Sequence, residues 1–200
     1  MQETTGRRSN RDRTEATRAL LIAAARRLFS EKSYAETGTP EIVAEAGVTR
    51  GALYHHFADK QALFRAVAEE EAAAVAEEIE TAAPDDMDAR AALVTGSKAY
   101  LEAMQAPGRT RLLLLDGPAV LGRAGMDEID GRHGTRTLRE GLAIAMRAGA
   151  IHKLPLAALT SQLAAAFDRA ALAVDAGSPL ADQMQVITAL IDGLMLARSA

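Results

Sequence analysis

One stretch constrains the fold of this chain more than any other: residues 39–60, TPEIVAEAGVTRGALYHHFADK. Thr39 can cap a short helix, and Gly47 supplies the positive φ that a tight turn between two helices requires. A second helix then runs to Phe57, which lies four residues after Leu53 and shares a buried face with it. The spacing predicts two short helices set at an angle, a helix-turn-helix.

The outer side of the second helix, which begins at Thr49 or Arg50, carries hydrogen-bonding groups, a cation and bare backbone. The residues there are Thr49, Arg50, Gly51, Tyr54 and His56. Such groups suit a DNA groove: Arg50 can bind guanine O6 and N7, and Gly51 allows close backbone approach. Two alternatives stay open, a packing role for Tyr54 and His56 and a capping role for Thr49.

The string GVTRGALYHHFADK, residues 47–60, is more specific than the spacing alone. It resembles the recognition segment of the TetR family of bacterial transcriptional repressors, and the similarity extends from about Thr14 to Val67. The resemblance implies phosphate contacts for Thr39, Tyr54, His56 and Lys60. Lys60 also begins a helix, where backbone amides and an ammonium can converge on one anion. Two positions depart from the family pattern: Ser33 replaces a usual glycine, and Gly38 a common hydroxyl residue.

The charge distribution favours the same end of the chain. Residues 1–65 hold 11 Lys/Arg against 8 Asp/Glu, whereas the remainder holds 12 against 19, so only the first part suits a polyanion such as double-stranded DNA. The chain has no cysteine, and no apolar run approaches about 20 residues, the length that a membrane span requires. We therefore expect no disulfide, no membrane association and a cytoplasmic location.

The rest of the chain is rich in alanine and leucine with helical punctuation, which predicts an all-α fold of about nine helices. Helices are expected to begin near Thr14, Thr39, Arg50, Lys60, Met87, Thr110, Asp127, Leu156 and Leu180. The helix from Asp127 is expected to reach Ala148, the last helix to reach Arg198, and Gly117-Pro118 to end the helix from Thr110. We expect a flexible Arg-rich tail over 1–13, a three-helix DNA-binding domain over 14–65, and a ligand-binding and dimerisation domain over 66–200.

Catalytic and metal chemistry fit the sequence poorly. His55 and His56 are adjacent and project about 100° apart on a helix, so they cannot chelate one metal. No nucleophile elbow, phosphate-binding loop or dinucleotide fingerprint is present. We expect no catalytic residue, no metal site and no cofactor.

The last two helices are apolar on more than one face, with Leu163 and Ile187 among their large side chains. Such helices need a second partner, and in the family that the chain resembles they form a four-helix dimer interface. We therefore expect a homodimer on a palindromic operator. The alternatives are a helical dimer that interacts with other proteins and has no small-molecule effector, or an activator instead of a repressor.

The effector pocket is predicted from the few bulky side chains beyond residue 79. These are Tyr100, Met104, His133, Met146 and Phe167. In a domain this rich in alanine they would line a cavity for an apolar or aromatic ligand, oriented by the Tyr100 hydroxyl or by His133. Alternatively, Tyr100 and Phe167 fill gaps in the core.

Overall fold

The computed structural model of the protein describes residues 5–84 and 87–196, and this part contains nine α-helices and one π-helical segment. The α-helices are α1 Thr5–Lys32, α2 Thr39–Glu45, α3 Arg50–His56, α4 Lys60–Ala82, α5 Ala89–Ala103, α6 Gly117–Arg132, α7 Gly134–Arg147, α8 Leu156–Asp175 and α9 Leu180–Leu194. The π-helical segment, Arg111–Asp116, leads directly into α6. Within the described ranges the only β pairing is an isolated bridge between Ile151 and Met195. The predicted all-α fold is confirmed.

Helix α1 begins earlier than its sequence predicts, at Thr5 instead of Thr14. Residues 5–13, expected to form a flexible tail, are therefore helical, and residues 1–4 lie outside the described ranges. Side-chain pairing one turn apart supports the extension, since Arg11 Nε lies 2.9 Å from Glu15 Oε1. Polar composition alone does not exclude a helix when neighbouring turns carry opposite charges.

An aromatic cluster closes the core where α1, the loop after it and α4 meet. The ring centroids of Phe29 and Phe64 are 5.4 Å apart, and Tyr34 lies 5.6 Å from the first and 5.2 Å from the second. These spacings match the tilted and edge-to-face pairs that aromatic rings prefer. The cluster fixes the loop that positions α2.

The cap of α2 differs from the prediction. The N-cap is Gly38, and Thr39 is the first residue of the helix, so Thr39 does not cap it. The amide of Gly38 donates to Glu41 Oε2 over 3.4 Å. The side chain that stabilises the start of α2 is therefore Glu41, inside the helix, which accepts from the N-cap amide. At the start of α4 a side chain does cap the helix: Asp59 Oδ1 accepts from the Ala62 amide over 2.7 Å.

A buried ionic network joins α1 to α4 and to the loop after α5. Glu71 on α4 accepts from Arg26 on α1 over 2.8 Å and from Arg109 over 2.9 Å, and Arg109 also binds Glu78 over 2.9 Å. Burial opposes ionisation of Glu71, but the hydrogen bonds from both guanidinium groups outweigh it and lower its pKa.

In the same loop Gly108, with φ 76°, packs so tightly that an added Cβ would lie 2.3 Å from Ser30 Cβ.

The middle of the chain departs from the predicted helix boundaries. The single helix expected from Asp127 to Ala148 is wrong, because the backbone of His133 (φ −125°, ψ −110°) separates α6 from α7. Gly117-Pro118 does not end a helix. Pro118 has no amide hydrogen to donate to Leu114, and the chain widens into π-helical turns immediately before it.

The end of the last helix is earlier than predicted. Helix α9 stops at Leu194, and the predicted end at Arg198 lies outside the described residues. The Leu196 amide donates to Ala150 O over 2.9 Å, so the chain after α9 pairs with the segment between α7 and α8. This pairing fixes α9 against the rest of the helical domain.

Candidate nucleic-acid interface and ligand cavity

Two buried side chains hold α3 in place. Leu53 is fully buried and Phe57 is 6% exposed, and both belong to the core formed with α1 and α4. At the start of the helix Thr49 Oγ1 accepts from the Ala52 amide over 3.1 Å, which makes Thr49 the N-cap. Its hydroxyl hydrogen stays available as a donor to a phosphate.

The opposite face of α3 is open to solvent. Thr49, Arg50, Gly51 and Tyr54 are exposed, as the sequence predicts. His55, which we did not predict as a site residue, is also exposed, whereas His56 is half-buried. The helical spacing from Gly51 to His55 is the signal that could have identified this residue.

Tyr54 links α3 to α2. Hydrogen bonds from the side chains of Thr39 and Arg50 lower the pKa of the Tyr54 phenol, and the Arg50 guanidinium lies 5.5 Å from the Tyr54 ring centroid. The three side chains form one polar cluster across the turn, and Tyr54 remains 43% exposed. The guanidinium over the ring restricts the motion of both side chains, and guanidinium hydrogens of Arg50 remain free to donate in a DNA groove.

His56 lies at the edge of the exposed face. Its burial, and then the positive charges of His55 and Arg18, lower its pKa. The imidazole is therefore neutral at pH 7, with one nitrogen able to donate and the other to accept a hydrogen bond. A neutral donor suits either a phosphate oxygen or an internal contact.

Lys60 has a different environment from the one that its position suggests. Its Nζ donates to Tyr34 O over 2.9 Å and to Thr37 O over 3.0 Å, and it lies 4.0 Å from the Tyr34 ring centroid. Two of its three ammonium hydrogens thus support the loop between α1 and α2. One hydrogen is left for an external acceptor.

A large cavity of about 1070 Å³ lies among α4, α5, the π-helical segment, α6, α7 and α8. Of the predicted pocket residues, Tyr100, Met104 and Phe167 line it. The Tyr100 and Phe167 rings, 6.2 Å apart, form one wall. The volume is at the upper end of the range typical of small-molecule sites.

His133 and Met146 do not line this cavity, so their predicted placement there is wrong. His133 lies at the break between α6 and α7, where its Nε2 is 2.8 Å from Glu69 Oε1 on α4. Met146 packs against the hydrophobic core, whereas Leu138 and Ile144 are the large apolar α7 side chains that reach the cavity. A prediction of one continuous helix could not show which α7 side chains line the cavity, because that depends on the break at His133.

Sequence reasoning missed the acidic residues that line the cavity, and two of them, Asp130 and Asp168, form no ion pair among the described residues. The Tyr100 hydroxyl donates to Asp168 Oδ1 over 2.7 Å. Burial, and then the charges of Asp168 and Asp127, raise the pKa of Asp130 to about 6, and burial also raises the pKa of Asp168. The available signal was the charged pair Asp168-Arg169, which interrupts the otherwise apolar run AAAFDRAALA.

Residues 5–84 and 87–196 contain neither a metal-ligand cluster nor a membrane span. No group of three His, Cys, Asp or Glu side chains there is arranged to hold a metal ion. None of the helices in the same ranges is both long enough and apolar enough to cross a bilayer.

Family models match both parts of the chain. The model for bacterial regulatory proteins of the tetR family matches residues 21–67, and the model for the tetracyclin repressor-like C-terminal domain matches residues 90–194. The chain belongs to the TetR family. The first match covers the helix-turn-helix, and the second covers the helices that surround most of the cavity.

Among curated relatives, this TetR-family chain is similar over about a third of its length to regulators of several bacteria. It is 38% identical over 68 residues to the repressor AcnR of Corynebacterium efficiens, 44% over 57 to the regulator AcrR of Shigella flexneri, and 42% over 60 to TtgR of Pseudomonas putida. The matches span 34%, 28% and 30% of this chain, and only 36%, 26% and 29% of those proteins.

Solved structures extend the similarity over the whole chain. A TetR-family regulator from Pectobacterium atrosepticum is 31% identical, with a TM-score of 0.73 over 94% of this chain and 98% of that one. RolR in complex with resorcinol has a TM-score of 0.72 at 19% identity, covering 94% of this chain and 91% of that one, which shows a shared fold.

Proposed function

We propose that this TetR-family chain is a ligand-responsive homodimeric repressor that binds a palindromic operator in the cytoplasm through α3. The observation that carries the proposal is the outward placement of Arg50 and Tyr54 on a helix anchored by buried Leu53 and Phe57. Arg50 has no ion-pair partner among the described residues, so its charge is available for DNA. This is the arrangement by which a recognition helix enters a major groove.

Each exposed group has a role that its environment supports. Arg50 would bind a guanine edge, and Gly51 would let the backbone approach the bases. Thr39, Thr49, Tyr54, His56 and the remaining hydrogen of Lys60 would bind phosphates and set the register of the helix.

The dimer is proposed to form through α8 and α9. On α9, Val186 is 60% exposed and Leu190 is 47% exposed, and they lie four residues apart on one face. By contrast, Leu163 and Ile187 are buried within the subunit and cannot contact a second copy directly. A two-fold dimer would place its recognition helices on half-sites about 34 Å apart.

The cavity is proposed to hold the effector, and two elements connect it to the DNA-binding domain. Helix α4 lines the cavity with Val75 and Ile79 and begins at Lys60, beside the recognition helix. The π-helical segment lines it with Leu113 and Leu114, and Asp116 at its end accepts from the Tyr34 amide over 3.0 Å. A ligand that prefers one arrangement of these elements changes DNA affinity by that preference and by no more.

The test is footprinting with the purified protein on the DNA upstream of its own gene and on sites selected from random duplexes. We expect protection of a two-fold symmetric sequence, with affinity that falls steeply as salt rises. Protein that is folded by circular dichroism yet selects no sequence and shows equal affinity for all duplexes would contradict the proposal.

A further inference from the structure

The charged groups that line the cavity are mostly acidic. Six are carboxylates and two are guanidinium groups: Glu80, Asp88, Asp127, Asp130, Glu140 and Asp168, with Arg123 and Arg139. Four of the carboxylates already have partners. Glu80 and Glu140 bind Arg136, Asp127 binds Arg123 over 3.3 Å, and Asp88 caps α5.

The two remaining carboxylates, Asp130 and Asp168, are largely withdrawn from solvent, and neither forms an ion pair in the described structure. The positive charge of Arg123 acts on both, but Arg123 is already paired with Asp127. Asp168 accepts a hydrogen bond from the neutral Tyr100 hydroxyl, and Asp130 has neither a hydrogen bond nor an ion pair there. Placing two carboxylates together in a partly desolvated site is unfavourable unless a positive charge accompanies them. Arg123 supplies only part of that charge: it lowers the pKa of both carboxylates, but burial outweighs it and both pKa values remain raised.

Aromatic and aliphatic side chains surround the acidic pair. Phe167 precedes Asp168 on α8, and its ring lies 6.2 Å from that of Tyr100. Leu93 and Leu138 extend the apolar lining from α5 and α7. The site thus offers a negative region next to an aromatic wall within a volume of about 1070 Å³.

We propose that the effector is an organic cation: an amine whose ammonium group lies between Asp130 and Asp168 and whose aromatic or aliphatic body packs on Tyr100 and Phe167. The inference rests on the proposed effector function and names the chemical class of that ligand. An ammonium group can donate to both carboxylates and remove the repulsion between them. An aromatic face nearby adds a further attraction for the cation.

The test compares three molecules with the same ring system and different charge: 2-(1-naphthyl)ethylamine, 2-(1-naphthyl)ethanol and 1-naphthaleneacetate. Isothermal titration calorimetry on the full-length protein at pH 7.5 measures each affinity. We expect the amine to bind at least ten-fold more tightly than the alcohol, and the acid to bind most weakly. Equal affinities for the three, or binding of none, would overturn the proposal.

Matched variants assign the preference to the acidic pair. Asp130→Asn and Asp168→Asn should each lower amine affinity at least five-fold and leave alcohol affinity within two-fold. Glu102→Gln is the control and should change neither, because its carboxylate is exposed, is paired with Lys98 over 3.2 Å and does not line the cavity. An amine preference that persists in the double variant Asp130→Asn, Asp168→Asn would also overturn the proposal.

The pH dependence supplies a second readout. The groups that face Asp130 are Asp168 from α8, Tyr100 from α5, Asp127 and Arg123 from its own helix, and His133 beyond it. Because the pKa of Asp130 is about 6, amine affinity should fall as pH drops from 7.5 to 5, while alcohol affinity stays flat. Amine affinity that does not change over this range would count against the site.

Operator binding without any ligand is measured separately. A protein that binds its operator but prefers the alcohol or the acid loses the cation proposal and keeps its function as a repressor. A protein that prefers the amine but binds no specific DNA keeps the cation site and loses the repressor function.

Discussion

Ser33 carries backbone strain that follows from its residue type. It is the first residue after α1, and its φ of 94° lies in the left-handed region that favours glycine. The family pattern that the sequence resembles usually has glycine at this position, so the chain keeps the same turn with a residue that suits it less well. For a non-glycine residue this conformation costs on the order of 1 kcal/mol.

Ser33→Gly should therefore stabilise the protein by roughly 0.5 kcal/mol, because the relief of strain exceeds the added chain entropy of glycine in the unfolded state. Urea unfolding would detect the change as a higher midpoint with an unchanged slope. Ser33→Ala is the matched control: it removes the hydroxyl but keeps the strain, so it should not be more stable than the parent. A lower midpoint for Ser33→Gly would show that the turn is unstrained.

Asp130 is predicted to cost stability at neutral pH. Its pKa rises from 3.8 to about 6 in the folded protein, so the folded state binds more protons than the unfolded state between these values. Stability from this group is fully present below pH 4 and is lost as pH rises through 6. Asp130→Asn should therefore be more stable by about 2 kcal/mol at pH 7.5, with the gain vanishing near pH 4. Thermal unfolding across this pH range measures it, and a gain independent of pH would contradict the assignment.

The residues predicted correctly are those whose role depends on near neighbours in the sequence. Thr49 and Asp59 cap helices because each accepts from an amide three residues ahead, and Gly47 has the expected positive φ of 65°. Lys60 and Asp130 were not foreseen in their actual environments. Their partners, the Tyr34 carbonyl and Asp168, are brought near only by the packing of distant segments.

At the scale of elements, two residues of the DNA-binding domain should have different roles: Arg50 in recognition of the DNA sequence, and Lys60 in both DNA binding and stability of the fold. Arg50→Ala should weaken operator binding by about 1–3 kcal/mol, mainly at one base position, and change affinity for random DNA much less. Lys60→Ala should weaken binding to both kinds of DNA and lower stability by about 1–2 kcal/mol, because two loop carbonyls lose their donor. Competition binding and urea unfolding measure the two effects. An unchanged unfolding midpoint in Lys60→Ala would contradict its supporting role.

The π-helical segment is predicted to order the loop before α2 through one hydrogen bond. Asp116→Ala removes the acceptor of the Tyr34 amide. Hydrogen exchange at that amide should accelerate at least ten-fold, while amides in α8 change less than two-fold. Leu115→Ala, an exposed position in the same segment, is the control and should leave Tyr34 unaffected. Equal acceleration in both variants would mean that the segment acts through general destabilisation.

Helix identity was more predictable than helix connection. Apolar spacing identifies α8 and α9, and Asp59 marks the start of α4. Gly131 and Gly134 flank the break at His133, but the contact of His133 with Glu69 on another helix, 2.8 Å from Nε2 to Oε1, could not be read from the sequence. Periodicity is a property of one segment and carries no information about such contacts. Periodicity therefore could not predict the division between α6 and α7, nor which residues line the cavity.

For the whole molecule, the proposed dimer has a specific test. Val186→Glu places a charge on the exposed face of α9, so the mass in light scattering at micromolar concentration should fall from about twice 21.1 kDa toward 21.1 kDa. Helical content should be retained, since the side chain is 60% exposed in the subunit. Ile187→Glu, only 2% exposed, should instead unfold the subunit or make it insoluble. A dimer that persists in Val186→Glu with Leu190→Glu would place the interface elsewhere.

The ionic network of Glu71 limits how this protein can be recombined with its relatives. A chimera cut near residue 65 would take Arg26 and Ser30 to a new recipient and leave Glu71 and Gly108 behind. Glu71 would keep Arg109 but lose one of its two guanidinium partners, at a cost of about 1–3 kcal/mol for the lost charged hydrogen bonds. In the half that receives Ser30, any side chain larger than glycine at the position facing it would clash. A biosensor with exchanged operator specificity would instead need a graft confined to the exposed face of α3, or a donor that supplies the same carboxylate and glycine.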